Sequence, residues 1–99
     1  MREPAGSMII NIGEKTTEFE VRSLGGLVYA KSIRMVGHDQ GEVQAIVDAS
    51  KSTLEHIPSE LIEDLKVHGI LMTGEGSLLK GIDKRIAEAT GLPVHKESI

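Results

Sequence analysis

Residues 8–19 read Met8-Ile9-Ile10-Asn11-Ile12-Gly13-Glu14-Lys15-Thr16-Thr17-Glu18-Phe19. The first five are apolar apart from Asn11. Such a short apolar run predicts a strand covered on both faces, in the middle of a sheet. Gly13 then opens a turn, because glycine admits backbone conformations that bring N–H groups close to a neighbour or ligand. From Thr17 to Ser23 the pattern alternates, with Phe19 and Val21 on one side and Glu18, Glu20 and Arg22 on the other. That period of two predicts a half-buried strand. Ser23-Leu24-Gly25-Gly26 is a second turn. Leu27 to Met35 is a third strand, with Leu27, Tyr29, Lys31 and Ile33 on one face. These three strands predict an antiparallel meander.

Further along, Gly37-His38-Asp39-Gln40-Gly41 breaks the strand pattern. Val43, Ile46, Val47, Ser50 and Leu54 recur at helical spacing, which predicts an amphipathic helix over Glu42–Glu55. Pro58 ends it, since the residue before a proline is biased out of the helical region, and then opens a short second helix carrying Leu61, Ile62 and Leu65 inward. Gly69 to Met72 is a fourth strand, followed by the glycine turn Met72-Thr73-Gly74-Glu75-Gly76-Ser77. Ser77 is the expected N-cap of a helix with Leu78, Leu79, Ile82 and Ile86 as its stripe and Gly91 as its stop. Leu92-Pro93-Val94-His95 completes the series as an edge strand, where proline is tolerated. The order β-β-β-α-α-β-α-β predicts an α/β domain with a mixed five-stranded sheet, a three-strand antiparallel meander plus two parallel strands.

Composition narrows the function. The chain has 99 residues, enough for one domain over 8–99, with 1–7 read as a disordered leader or tag remnant. Its aromatic content is Phe19 and Tyr29 alone, so the core is aliphatic. A net charge of −4 with no basic stripe argues against nucleic acid as a partner. Cysteine is absent, which excludes disulfides and thiolate chemistry. No apolar run approaches the roughly 20 residues that span a bilayer, and residues 1–8 are too polar for a signal peptide, so the expected location is cytoplasmic and no membrane partner is expected. His38, His56, His68 and His95 have no metal-ligand spacing and read as surface or cap residues. Glu60, Glu63 and Asp64 read as a solvated helix face. No catalytic residue and no metal site is assigned.

Several segments together resemble a known family. They are Ile12-Gly13 with Thr16-Thr17-Glu18, Ser23-Leu24-Gly25-Gly26-Leu27-Val28-Tyr29, Lys31-Ser32-Ile33-Arg34, Lys51-Ser52-Thr53-Leu54-Glu55, Pro58-Ser59-Glu60-Leu61, Leu71 through Asp83, and Glu88-Ala89-Thr90-Gly91-Leu92-Pro93-Val94. In combination they are similar to the second lobe of MreB, the bacterial actin-like family of the cell-shape cytoskeleton. The resemblance implies an RNase H-like, actin-like subdomain. It also implies that the family's insertion before the first helix is here bridged by Gly37 to Gly41, which leaves open a natural minimal relative and a lobe shortened by design.

The resemblance further implies a nucleotide site at the two glycine turns, with Gly13, Thr16, Thr17, Gly74 and Gly76 as its remaining members. The family's first turn reads Asp-Ile-Gly-Gly-Gly-Thr-Thr-Glu. Asn11 replaces the acidic position, and an amide cannot act as a base. Glu14 and Lys15 replace two glycines, and Glu75 the middle glycine of the second turn. Glu14 sets a negative charge where phosphates would lie, and the Cβ of Lys15 limits backbone freedom. The expectation is a vestigial site, with no cofactor beyond weak ATP/Mg and no ATPase activity. The chain then reads as a structural or interaction module, associating with itself as a homodimer through an exposed sheet edge or an apolar helix face. The rival reading is a small ATP-binding protein using the same turns.

Overall fold

The computed structural model describes residues 6–34, 40–78 and 81–97. Five strands, β1 (Gly6–Ile12), β2 (Thr16–Ser23), β3 (Gly26–Arg34), β4 (Ile70–Thr73) and β5 (Val94–Lys96), form one sheet in the order β3-β2-β1-β4-β5. The meander β1–β2–β3 is antiparallel, while β4 runs parallel to β1 and β5 parallel to β4. Three helices, α1 (Gln40–Glu55), α2 (Ser59–His68) and α3 (Ile82–Thr90), fill the two crossovers. Both crossovers step across the sheet in the same direction. Right-handed connections therefore lay all three helices on one face. The α/β mixed sheet and element order expected from the sequence are present.

This one-sided cover corrects the reading of β1. The strand is central, but it alternates: Gly6, Met8, Ile10 and Ile12 are buried, whereas Asn11 is exposed and Ile9 half-buried. Phe19 and Val21 join Met8, Ile10, Ile12, Ile46, Leu65, Ile70, Met72, Ile82 and Ile86 in a single cluster between sheet and helices. Strand β1 also begins at Gly6, so Gly6 and Ser7, read above with the leader, are paired with Ser23 and Arg22.

Local chemistry accounts for most of the boundaries. Pro58 sits just before α2 with φ −60° and ψ 147°, and its carbonyl accepts from Leu61 N–H at 3.0 Å. Gly91, at φ 73°, closes α3 by donating its N–H to Ala87 O at 2.8 Å. That is a left-handed stop, which glycine provides without a Cβ clash. His56 Nδ1 lies 2.8 Å from Ser52 O, satisfying a late carbonyl of α1, while its ring stacks on Tyr29 with centroids 5.2 Å apart. Among the described residues no helix is long and apolar enough to cross a membrane.

Two expectations fail for backbone reasons. Ser77 does not cap a helix. It lies within one turn of 3₁₀ helix, Glu75–Leu78, and α3 starts at Ile82 after Gly81 in the left-handed conformation. In β3 the expected alternation breaks at a register shift, where Arg22 pairs with Leu27 but Val21 pairs with Tyr29. The extra residue turns Leu27 out of the helix-side face, leaving it 55% exposed. Met35, Leu79 and the 37–39 turn lie outside the described residues.

The β2–β3 turn carries a strained residue. Leu24 and Gly25 both have positive φ, 55° and 79°, and Leu24 is 89% exposed. A two-residue hairpin of this kind favours Asn-Gly, and a leucine in the left-handed region costs about 1 kcal/mol. Leu24→Asn is therefore expected to raise stability by roughly 0.5–1 kcal/mol in urea unfolding.

Candidate functional site

Because β1 and β4 are parallel neighbours, with Asn11 opposite Thr73, their carboxyl ends bring both glycine turns to one end of the sheet. The turns touch each other there. A Cβ on Gly74 would fall 2.5 Å from Ile12 O and 2.6 Å from Asn11 Oδ1, and one on Gly76 would overlap Ile12 Cγ2. Gly74 also needs its φ of 88°. Thr73 Oγ1 donates to Asn11 Oδ1 at 3.2 Å, which ties the Asn11 side chain across the two strands.

The first turn is self-contained. Gly13 donates its N–H to Thr16 O at 2.9 Å, so this amide is used within the hairpin. Neither Gly13, Glu14 nor Lys15 has positive φ. The expected backbone restriction at Lys15 thus does not arise: both charged residues fit this hairpin without strain. Thr16 and Thr17 lie on opposite faces of β2. Thr16 is exposed, whereas Thr17 is fully buried on the core side, opposite Ile12 and Ile33. Glu14, Lys15 and Glu75 are exposed, giving two carboxylates against one ammonium around the turns. At short range that excess opposes a polyphosphate.

Thr17, one of the residues assigned to the nucleotide turns, lies on the core side of β2. Its Oγ1 is buried and has no hydrogen-bond partner among the described residues. The other buried hydroxyls behave differently: Ser50 Oγ donates to Ile46 O and Thr53 Oγ1 to Ala49 O, each at 2.8 Å. An unsatisfied buried hydroxyl costs about 1–3 kcal/mol. Thr17→Val keeps the shape and removes the orphan, so it is expected to stabilise the fold by about 1 kcal/mol, raising Tm by roughly 4–8 °C. A Tm lowered by this substitution would mean that the hydroxyl has a partner after all.

Asp64 was not legible as part of the site or the core. It is 4% exposed, not solvated, and its Oδ2 accepts Gly6 N–H at 2.9 Å. His68 Nδ1 lies 3.1 Å from Gly6 O, an arrangement that requires the proton on Nδ1. Together they hold both backbone groups of the first β1 residue against α2. The signal was the spacing Leu61, Asp64, Leu65, His68, which is one helical face. Glu60 and Glu63 are exposed, as expected, and Lys66 pairs with Glu63 at 3.1 Å. Among the described residues no three His, Cys, Asp or Glu side chains gather to hold a metal ion.

Comparison with known proteins bears on this arrangement. The MreB/Mbl protein family profile matches residues 1–42 and 39–98, two pieces that overlap at 39–42 around the start of α1. The chain is 26% identical over 159 residues to the cell shape-determining protein MreB of Escherichia coli strain K12, covering 93% of this chain and 46% of the relative. It is 24% identical over 159 residues to the cell shape-determining protein Mbl of Bacillus subtilis strain 168, covering 93% and 48%. The chain therefore spans about half the length of these curated relatives. The structure of MreB5 of Spiroplasma citri bound to ADP superposes with a TM-score of 0.83 at 21% identity, over 97% of this chain and 50% of that one. This likeness establishes the actin-like fold. With the profile covering both halves of the sequence, the chain belongs to the MreB/Mbl family.

Proposed function

We propose that the chain is a non-enzymatic actin-like module, which acts by associating with itself and not by turning over nucleotide. The observation that carries this reading is how the former ligand groups are used. Gly13 N–H closes its own hairpin, Thr17 faces the core, and Gly74 and Gly76 hold the second turn against Ile12. Asn11 supplies no base, and its side chain is engaged by Thr73. MreB5 of Spiroplasma citri binds ADP, and half of that chain is the part matched here. The proposed setting is the cytoplasm, and the proposed partner is a second copy of the chain.

The test is phosphate release from Mg-ATP over hours, alongside light scattering after size exclusion. Release at the buffer rate and a dimer mass support the reading. Release that scales with protein concentration, and is lost in Gly13→Val, would instead favour the ATP-binding alternative.

A further inference from the structure

We propose that β3 is the docking edge, pairing antiparallel with β3 of a second copy about a two-fold axis at Ala30. The inference rests on the self-association proposed above and names its surface. Of the two edge strands, β5 is a poor template. It has three residues, follows Pro93, and is tied to the body by Lys96–Asp83 at 3.8 Å and by Glu97 N–H to Met72 O at 2.9 Å. Strand β3 has nine residues and no proline, and among the described residues it has no sheet neighbour on its outer side. Such an edge presents unpaired N–H and C=O groups along its length.

Charge selects the register. A two-fold axis normal to the sheet preserves its faces, so residues of like parity oppose each other. Centred on Lys31, the pairing would set Lys31 against itself, and like charges directly opposite are destabilising. Centred on Ala30, the midpoint of β3, Lys31 meets Tyr29 of the second copy on the helix-bearing face, and Val28 meets Ser32 on the open face. The first pair is a cation against an aromatic ring. The second partly covers Val28, which is 42% exposed in the single chain. No lysine or arginine faces another. Alongside this edge runs a concavity of about 330 Å³ lined by Glu18, Phe19, Glu20, Ala30, Lys31 and Ser32. Ala30 and Ser32 are small and exposed, so the second strand can approach.

The 99-residue chain has no native cysteine, so one introduced thiol reports one contact. The expected result is a dimer by light scattering in which Ala30→Cys is cross-linked by a short bis-maleimide, while Ser59→Cys, exposed at the start of α2, is not. Ala30→Lys, which sets two ammonium groups against each other, is expected to lose the dimer peak at the concentration where the parent chain shows it. Its urea midpoint should match the parent's when both are measured dilute enough to be monomeric. A dimer that survives Ala30→Lys, or that cross-links at Ser59→Cys and not at Ala30→Cys, overturns the β3 edge and leaves self-association standing. A chain that stays monomeric at every concentration overturns both.

Discussion

Replacing Gly76 with alanine is expected to remove about 3 kcal/mol of stability, the upper end of what overpacking costs. The new Cβ would overlap Ile12 Cγ2 and stand 2.8 Å from Ile12 Cβ and 3.2 Å from Ile12 O. Ile12 is fully buried and branched at Cβ, so it cannot swing aside, and relief requires backbone movement of β1 or of the 3₁₀ turn. A domain of this size has about 5–15 kcal/mol in total, so urea unfolding would register the change plainly. The pairing is also testable. Ile12→Ala removes the obstructing methyl group, so the double variant should lose less than the sum of the two single variants. Additive losses would mean that the clash lies elsewhere.

Phe19→Ala has the other large expected effect. Phe19 is the one phenylalanine of the chain, fully buried on the helix side of β2, opposite Ile10 and Lys31. Phe19 is the one aromatic side chain fully buried in this cluster, with Tyr29 only half-buried against it, so the vacated volume has little to fill it. Truncation is expected to cost about 4 kcal/mol, lowering Tm by roughly 20 °C. Phe19→Leu should recover more than half of that loss, because most of the apolar volume returns. An equally severe Phe19→Leu would point to a shape requirement beyond volume.

These two sites show where sequence reasoning succeeds and where it stops. The facing of Phe19 and Val21 is written in the alternation with Glu18, Glu20 and Arg22, because the side-chain period of a strand is two. Pro58 and Gly91 mark helix ends through their own backbone restrictions. By contrast, Met8 to Ile12 has the composition of a strand buried on both faces. Its outer face is half open because both crossovers put their helices on the other side, a property of topology that no local window contains. The register shift at Leu27 and Val28 arises from pairing with β2, so β3 by itself gave no sign of it. Thr17 looked like half of a ligand pair with Thr16, yet adjacent strand residues face opposite ways, and the parity it shares with Phe19 and Val21 is what sends Thr17 into the core. Asp64 was concealed by its charge, which outweighed its place on the Leu61–Leu65 face.

The glycine turns were legible in position, and their reading as the remains of a site rested on Asn11, Glu14, Lys15 and Glu75. Gly13 was expected to lend an exposed amide, and its amide closes the hairpin instead. Gly74 and Gly76 were expected to approach a ligand, and they approach Ile12. In both turns the chain's own atoms, the Thr16 carbonyl at Gly13 and Ile12 at Gly74 and Gly76, occupy the space that glycine leaves.

That substitution of packing for ligand is the central claim, and thermal unfolding of the chain with and without millimolar Mg-ATP tests it most directly. The two Tm values are expected to coincide. A retained site with ligand at about 100 times Kd would add about 2.7 kcal/mol, a rise of roughly 10–20 °C, and a saturable shift of that size would contradict it.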